Sequence, residues 1–241
     1  MNAMEYKTIF TLSLFNIEIS ITETVVVSWA VMLIIIIGSF LLTRKLKVVP
    51  TGSQTILEIG IEFLNNFGKN QFGRFSKYLG HYIGTLFLFL LLANLMGILS
   101  PVEVDAFGFK FTPPFLIRPP TRDLNVTAAF GVITILMSIV FGFAARGFGG
   151  WFKRLLYPVP FMLPFNLLDY VTRLLSLSLR LYGNMLGGLV MMYLIEGLLP
   201  VALPPIAALY FDIFDGVLQA AIFVFLTCIY IGEAVKLEEE A

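Results

Sequence analysis

The sequence has little of the charge that keeps a protein dissolved in water. Of its 241 residues, 13% are charged and 58% are hydrophobic, whereas a soluble domain has about 25% charged residues. The mean hydropathy is +0.89. This shortage of charge excludes an ordinary cytosolic enzyme. Sixteen basic residues balance 16 acidic ones, so the chain also lacks the basic excess typical of nucleic-acid-binding proteins. The composition indicates a membrane protein.

Cysteine is almost absent, and the N-terminus lacks the charge pattern of a cleaved signal peptide. The one cysteine, Cys228, lies in an apolar run, which excludes a disulfide framework and a CxxC metal site. We therefore predict no metal and no cofactor. Residues 1–24 hold one lysine, and the apolar run that follows them ends at Arg44, Lys45 and Lys47. This order of charges predicts a retained membrane anchor.

Five apolar runs are long enough to cross a bilayer, whose hydrocarbon core requires about 20 residues per helix. They comprise residues 25–42, 79–99, 126–145, 167–199 and 206–235. A short turn containing prolines joins the last two, which predicts a long C-terminal antiparallel helix hairpin. The predicted fold class is an all-α integral membrane protein with about five transmembrane helices, in a single membrane domain over residues 1–241.

Two further segments carry several prolines and are not predicted to span the membrane. Segment 151–165 is apolar but contains three prolines, and each removes a backbone donor. This favours a proline-broken helix along the membrane interface. Segment 101–122 contains five prolines and is predicted to be a polar, non-helical external loop.

The distribution of lysine and arginine predicts which side of the membrane each segment faces. If residues 1–24 lie outside, then segments 43–78, 146–154 and 236–241 lie inside and hold ten basic residues together. The outer segments hold four. The positive-inside rule therefore favours an external N-terminus and a cytoplasmic C-terminal tail.

The fourth apolar run contains a stripe of polar residues. Their spacings of 4, 3, 4 and 4 put them on one face of a helix: Asp169, Arg173, Ser176, Arg180 and Asn184. Arg180 lies about 13 residues into the run, too deep to snorkel to either surface. A mid-membrane arginine costs a few kcal/mol, so we predict that Arg180 faces protein or water and is functional.

Both arginines of the stripe also have a structural explanation. Arg180 could pair with Asp169 or another buried carboxylate and only pack the bundle, and Arg173 could anchor the helix at the interface. The functional hypothesis depends on the guanidinium group, which does not titrate in proteins. A fixed positive charge cannot carry a proton, but it favours the ionised form of a carboxylate within about 4–6 Å. That mobile carboxylate need not belong to this chain.

The last apolar run contributes acids and an amide. Asp212, Asp215 and Gln219 are spaced 3 and 4 apart, again on one helical face. Counted from the turn near Ala202, Arg180 lies 22 residues before it and Gln219 lies 17 after it. In an antiparallel hairpin this is an offset of about five residues, or roughly 8 Å. Gln219 is therefore predicted to help orient Arg180.

Carboxyl groups collect towards the outer end of the predicted hairpin. Asp212 and Asp215, together with Glu196, are predicted to form a hydrated inlet where protons exchange with the outside. Alternatively, the two aspartates lie at the lipid–water boundary or cap the N-terminus of the last helix. Glu233, near the inner end, is a weaker candidate for the ion path, with an interface residue as the alternative.

Several motifs, in this order along the chain, resemble the a subunit of F-type ATP synthase. The hexad Arg180-Leu-Tyr-Gly-Asn184-Met, preceded by Ser176-Leu-Ser-Leu, resembles the family's signature. The other similar segments are Asp123-Leu-Asn125-Val-Thr127, Leu-Pro164-Phe-Asn166-Leu-Leu-Asp169, Ile83-Gly-Thr-Leu-Phe-Leu-Phe and Leu218-Gln219-Ala-Ala-Ile-Phe. Together they cover about residues 50–235.

The resemblance implies a non-catalytic stator subunit that translocates protons through two half-channels in a rotary motor. Arg180 would face a rotating ring of c subunits, each with one membrane-embedded carboxylate, with Gln219 as its partner and Asn184 as its neighbour. The implied partners are the c-subunit ring, peripheral-stalk b subunits and the remaining ATP synthase subunits. The implied location is the lipid bilayer of a bacterial plasma (inner) membrane, and no nucleic acid is expected.

Two positions depart from the family's pattern. Many members have glutamate nine residues after the arginine, where this chain has Leu189. The last helix often has a histidine or another polar residue where this chain has Asp212. One hypothesis is that the acid of the outer half-channel has moved between facing helices, so that Asp212 and Asp215 replace the missing glutamate.

A secondary ion or solute transporter with a charged midplane site is the alternative function. Such folds usually show repeated halves, whereas this chain has five apolar runs and no internal symmetry. A purely structural scaffold would not explain charged residues at apolar depth. The chain also lacks a G-x-x-x-x-G-K-[ST] phosphate loop, which places ATP synthesis itself on other subunits.

Overall fold

A computed structural model describes residues 8–14, 17–44, 52–99, 104–106, 109–111, 119–157, 159–198, 206–207 and 210–235. Within these residues, five helices are long and apolar enough to cross a membrane. The predicted all-α, multi-pass membrane fold is therefore confirmed.

The five spanning helices lie on the predicted apolar runs, although one of them ends later and the last one begins later than predicted. The structure contains α1 (Glu23–Thr43), α2 (Ser53–Phe72), α3 (Ser76–Leu95), α4 (Leu124–Leu156), α5 (Leu163–Leu198) and α6 (Gly216–Val235). A π-helical turn, Phe211–Asp215, leads into α6. Short 3₁₀ turns comprise Gly73–Phe75, Met96–Leu99, Pro120–Arg122 and Pro160–Met162.

Two short antiparallel hairpins lie outside the helices. Strand β1 (Thr8–Leu14) pairs with β2 (Ile17–Thr22), and β3 (Val104–Ala106) pairs with β4 (Phe109–Phe111). The sequence predicts an external N-terminus over residues 1–24 and a non-helical loop over residues 101–122. It does not predict the strands found in them. The signal was present in residues 17–22, where apolar and polar residues alternate as in a half-buried strand.

Two helical segments differ from the prediction. Helix α2 occupies most of the predicted inner segment 43–78. Helix α4 continues past the predicted end at residue 145, with Gly147 out of helical geometry at φ 71° and ψ 168°. Glycine adopts positive φ without steric cost, so the chain bends at Gly147 and the helix resumes. Residues 148–156 therefore form a second helical stretch beyond the kink at Gly147, and this stretch covers the first part of the predicted segment 151–165.

The contacts divide the chain into two compact units. The first comprises Met1–Lys45, Leu88–Asp123 and Asn184–Ala220. Its buried apolar residues include Val31, Leu90, Ala93 and Ala220. Within it, the Oγ1 of Thr24 donates a hydrogen bond of 3.0 Å to the Oδ2 of Asp123. Asp123 thereby fastens the start of α1.

The second unit comprises Leu46–Phe87, Leu124–Gly183 and Ala221–Ala241. Its buried apolar residues include Leu79, Ile83, Leu177, Leu181, Phe223 and Ile231. Helices α4 and α5 approach closely at Gly131, where an added Cβ would lie 2.5 Å from the Oγ of Ser178. Small residues allow such close approach between membrane helices. The division into units leaves the single membrane domain over residues 1–241 as a prediction.

Candidate functional site

Arg180 lies in the middle of α5, with 17 residues of the helix before it and 18 after it. Its side chain is exposed, next to the exposed apolar side chain of Leu179. Within the described part of the chain, no carboxylate forms an ion pair with Arg180. The described residues therefore do not supply the negative charge that a guanidinium in the middle of a membrane requires.

Asp169, the acid that could have neutralised Arg180, pairs with Arg173 instead. The Nη2 of Arg173 lies 2.6 Å from the Oδ2 of Asp169, one turn earlier on α5, and 2.9 Å from the Oε2 of Glu233 on α6. The guanidinium also stacks over the ring of Tyr230, 4.9 Å from its centroid. Arg173 thus joins α5 to α6 through two carboxylates and an aromatic ring.

A second arginine completes this arrangement. The Nη1 of Arg154, at the end of α4, donates a hydrogen bond of 2.9 Å to the backbone carbonyl of Glu233. Its Nη2 lies 3.5 Å from the Oε1 of Glu233. We call these two arginines and two acids the charged cluster; its members are Arg154, Asp169, Arg173 and Glu233.

The charged cluster lines a cavity of about 80 Å³. The other residues that line it are Ser138, Trp151, Leu155, Asn166, Tyr170 and Ala234. A polar cavity of this size has room for several water molecules. The carboxylates of Asp169 and Glu233 are also about half exposed, at 52% and 48%. The charges are therefore only partly buried, and the cavity beside them has room for water.

A different kind of polar contact joins α5 to α6 in the first unit. The Nδ2 of Asn184 donates a hydrogen bond to the Oε1 of Gln219. Gln219 is fully buried, and within the described residues its Nε2 has no partner. Counting residues from the predicted turn indicates this pairing, because Asn184 lies 18 residues before Ala202 and Gln219 lies 17 after it. The sequence predicts Arg180 as the residue that Gln219 orients, from an offset of about five residues, but Asn184 matches the level of Gln219 more closely.

The remaining predicted site residues are placed as follows. Ser176 is half-buried on α5. Asp215 is half-buried at the end of the π-helical turn, inside a continuous helical run, so it does not cap a helix N-terminus. The side chains of Glu196, Asp212 and Leu189 lie outside the described part of the structure.

Four polar residues at or near these sites were missed from the sequence. Arg154 was counted only as an inner basic residue, and Asn166 only as part of a motif. The Nδ2 of Asn166 donates to the carbonyl of Leu155 at 2.8 Å, beside the cavity. Asn94 and Thr121 are buried in the first unit, at 1% and 0% exposure. Asn94 could have been found from the sequence, because it is an asparagine inside the apolar run 79–99.

The similarity to known proteins extends over nearly the whole chain. A sequence model of the family described as ATP synthase A chain matches residues 25–232. The sodium-ion-specific ATP synthase subunit a of Propionigenium modestum is 36% identical over 223 residues, which cover 91% of this chain and 77% of that protein. The ATP synthase subunit a of Moorella thermoacetica is 35% identical over 218 residues, covering 90% and 92% of the two chains. The chain therefore belongs to the ATP synthase subunit a family, the membrane subunits through which these complexes move ions.

Proposed function

We propose that this chain is the stator subunit that passes ions to and from a ring of c subunits, with Arg180 as the fixed charge that controls their carboxylates. The observation that carries the proposal is the exposed guanidinium in the middle of α5, which forms no ion pair with any residue that the structure describes. A charge in this position requires an anion from outside the described residues. A membrane-embedded carboxylate on a neighbouring subunit fits that requirement.

The guanidinium of Arg180 acts by electrostatics. It stays protonated, so it cannot relay a proton itself. It lowers the pKa of a ring carboxylate that comes within about 4–6 Å, and the carboxylate then releases its proton. It also repels cations that would cross directly between the two sides of the membrane. Since about 2.3 kcal/mol is available per charge per 100 mV, such a leak would dissipate the energy that drives synthesis.

The charged cluster is the proposed inner end of the ion path. Its cavity of about 80 Å³ and the half-exposed carboxylates of Asp169 and Glu233 support a hydrated connection on this side. Arg173 pairs with both carboxyl groups and holds them beside the cavity. Arg173 and Arg180 lie two turns apart on α5, which brings the water-accessible region towards Arg180.

The outer end of the path is proposed to depend on the acids before α6. Asp215 is half-buried, and it makes no ion pair with any residue that the structure describes. A carboxyl group in this setting can exchange protons with water. Asp212 and Glu196 are proposed as further members, and Leu189 marks where the related subunits often carry glutamate. Ser176, Asn184 and Gln219 are proposed to line the path near Arg180.

The proposed assembly follows from the family. The chain would act with the c-subunit ring, peripheral-stalk b subunits and the remaining ATP synthase subunits, and would not catalyse ATP synthesis itself. We propose a bacterial plasma (inner) membrane, with the N-terminus outside and the C-terminus in the cytoplasm. One relative is named as sodium-ion specific. The coupling ion is therefore to be tested by comparing ATP-driven transport with and without Na⁺.

Arg180→Ala tests the proposal directly. We expect the complex to assemble with normal ATP hydrolysis, while ATP-driven proton pumping into inverted vesicles falls to background. Arg180→Lys keeps the charge but not the planar group, and we expect it to recover little pumping. Leu179→Ala, an exposed neighbour on the same helix, serves as the matched control and should pump normally. Loss of assembly in Arg180→Ala would indicate a structural arginine and contradict the proposal.

A further inference from the structure

One turn of the structure departs from α geometry at a place where acids are found. Residues Phe211–Asp215 form a π-helical turn, whose backbone hydrogen bonds span five residues where those of an α-helix span four. Such wide turns are rare and occur frequently at functional sites. The turn contains Asp212 and Asp215 and ends at Gly216, the first residue of α6. It needs contacts that keep it from relaxing to the regular helix.

A buried asparagine supplies such a contact. The Nδ2 of Asn94, on the last turn of α3, donates a hydrogen bond of 3.0 Å to the backbone carbonyl of Gly216. The Oγ1 of Thr121 in turn donates a hydrogen bond of 2.7 Å to the Oδ1 of Asn94. Both side chains are almost completely buried. Thr121 therefore fixes which end of the Asn94 amide faces Gly216, because only the amide nitrogen can donate to a carbonyl.

Gly216 allows the amide to come this close. A Cβ added to Gly216 would lie 3.1 Å from the Cβ of Asn94 and 3.8 Å from its carbonyl carbon. Any side chain at this position would therefore push α3 away. The backbone N–H of Gly216 is also engaged, since it donates to the carbonyl of Ile213 inside the turn. Both polar backbone atoms of Gly216 are thus held, one by the wide turn and one by Asn94.

The wide turn affects the direction in which the Asp215 side chain leaves the helix. An α-helix rotates by about 100° per residue. A π-turn accommodates one more residue, so its relaxation to α geometry would rotate the preceding residues by about 100° relative to α6. Asp215 lies inside the turn, so its side chain would change direction relative to α6 by part of this rotation. The predicted common face of Asp212, Asp215 and Gln219 assumed a regular helix and does not account for this rotation.

We propose that Asn94, oriented by Thr121, is a positioning residue that holds the wide turn at Gly216 and so sets the direction of the Asp215 carboxyl group. The proposal rests on the proposed function only for the role of Asp215 in the ion path. The clamp itself, formed by Asn94, Thr121 and Gly216, makes a prediction about geometry that does not involve ion transport.

Two substitutions remove the clamp with little change of shape. Asn94→Asp keeps an acceptor for Thr121 and removes the amide donor to Gly216. Thr121→Val removes the hydroxyl group, whereas Thr121→Ser keeps it. Thr85→Val is the matched control, because the Thr85 hydroxyl is exposed on the same α3 and donates only to its own helix, at the carbonyl of His81.

A thiol placed at residue 215 reports on the turn. We would introduce Asp215→Cys in a Cys228→Ser background and measure its rate of reaction with a water-soluble maleimide in the purified complete complex. We expect Asn94→Asp and Thr121→Val to raise the rate at least fivefold, and Thr121→Ser and Thr85→Val to leave it within twofold. Equal rates in all four variants would overturn the clamp. If Asn94→Asp prevents assembly, the two Thr121 variants make the same comparison.

Transport measurements separate the clamp from the ion path. With the native Asp215 present, we expect Asn94→Asp to lower ATP-driven pumping at least fivefold and to shift its pH profile. In an Asp215→Asn background, the same substitution should cause no further loss. A further loss of equal size would show that Asn94 acts elsewhere and overturn its positioning role. If Asp215→Asn alone pumps normally while the labelling rates differ as expected, the clamp stands and the role of Asp215 in the ion path fails.

Discussion

The two polar regions that involve α5 and α6 use opposite chemistry. The charged cluster in the second unit has two arginines and two carboxylates around a cavity of about 80 Å³. In the first unit, Asn94, Thr121, Asn184 and Gln219 form neutral hydrogen bonds, and we call them the amide cluster. Three of these four residues are at most 1% exposed. Charged groups thus occupy partly exposed positions, and neutral hydrogen-bonding groups occupy buried ones.

This difference follows from the cost of burial. Removing an ion from water costs several kcal/mol even when it is paired, whereas a neutral amide that keeps its hydrogen bonds costs much less. The half-exposed carboxylates of the charged cluster retain part of their hydration. The contrast therefore predicts that the two clusters respond differently to the loss of one partner and to salt.

The largest effect on stability is expected for Arg173→Ala. This change leaves Asp169 and Glu233 without their shared cation, and we expect it to destabilise the subunit by about 1.5–3 kcal/mol. Adding Glu233→Gln and Asp169→Asn should recover part of the loss, because fewer unpaired charges remain. Thermal release of the subunit from the purified complex measures both changes. A triple variant less stable than Arg173→Ala would show that charge pairing is not the main contribution.

A smaller and salt-independent effect is expected for Gln219→Leu. It removes the acceptor of Asn184 and leaves a donor unsatisfied, which costs about 1–2 kcal/mol. Raising the salt from about 0.1 to 1 M should leave this loss unchanged but shrink that of Arg173→Ala, since screening acts on exposed charges. Asn184→Leu together with Gln219→Leu should restore most of the stability. Equal salt responses in the two clusters would remove the contrast between them.

The smallest effect is expected for Arg154→Gln. Its ion pair with Glu233 is long, at 3.5 Å, and both side chains are partly exposed, at 29% and 48%. Such pairs contribute about 0–1 kcal/mol. The glutamine amide can also still donate to the backbone carbonyl of Glu233. A loss as large as that of Arg173→Ala, in the same thermal measurement, would make Arg154 the centre of the charged cluster.

The sequence predicted the spans and the central arginine because both have strong local signals. Apolar length defines the five spanning helices, and the depth of its charge inside such a run identifies Arg180. The charged cluster was only partly predictable. The spacing of Asp169 and Arg173 suits an i,i+4 pair, but the contribution of Arg154 depends on α4 continuing beyond Gly147.

The neutral contacts were the least predictable part. Asn94 meets Gly216 across 122 residues of sequence, and no local pattern encodes such a pairing. The π-helical turn was missed because a spacing argument assumes 3.6 residues per turn throughout. The partner of Gln219 could have been predicted from the hairpin register. This requires comparing the level of Gln219 with every polar residue of α5, and not only with Arg180.

The close approach of α4 and α5 at Gly131 has a mechanical consequence. A Cβ there would also lie 3.3 Å from the backbone carbonyl of Leu174, so main chain almost touches main chain. Packed side chains can rotate and yield, but two helical backbones in contact have little freedom to move towards each other. A lateral force on α5, such as one from a rotating neighbour, would be transmitted to α4 at this point with little displacement. Gly131 thus allows a contact that limits the movement of α5 towards α4.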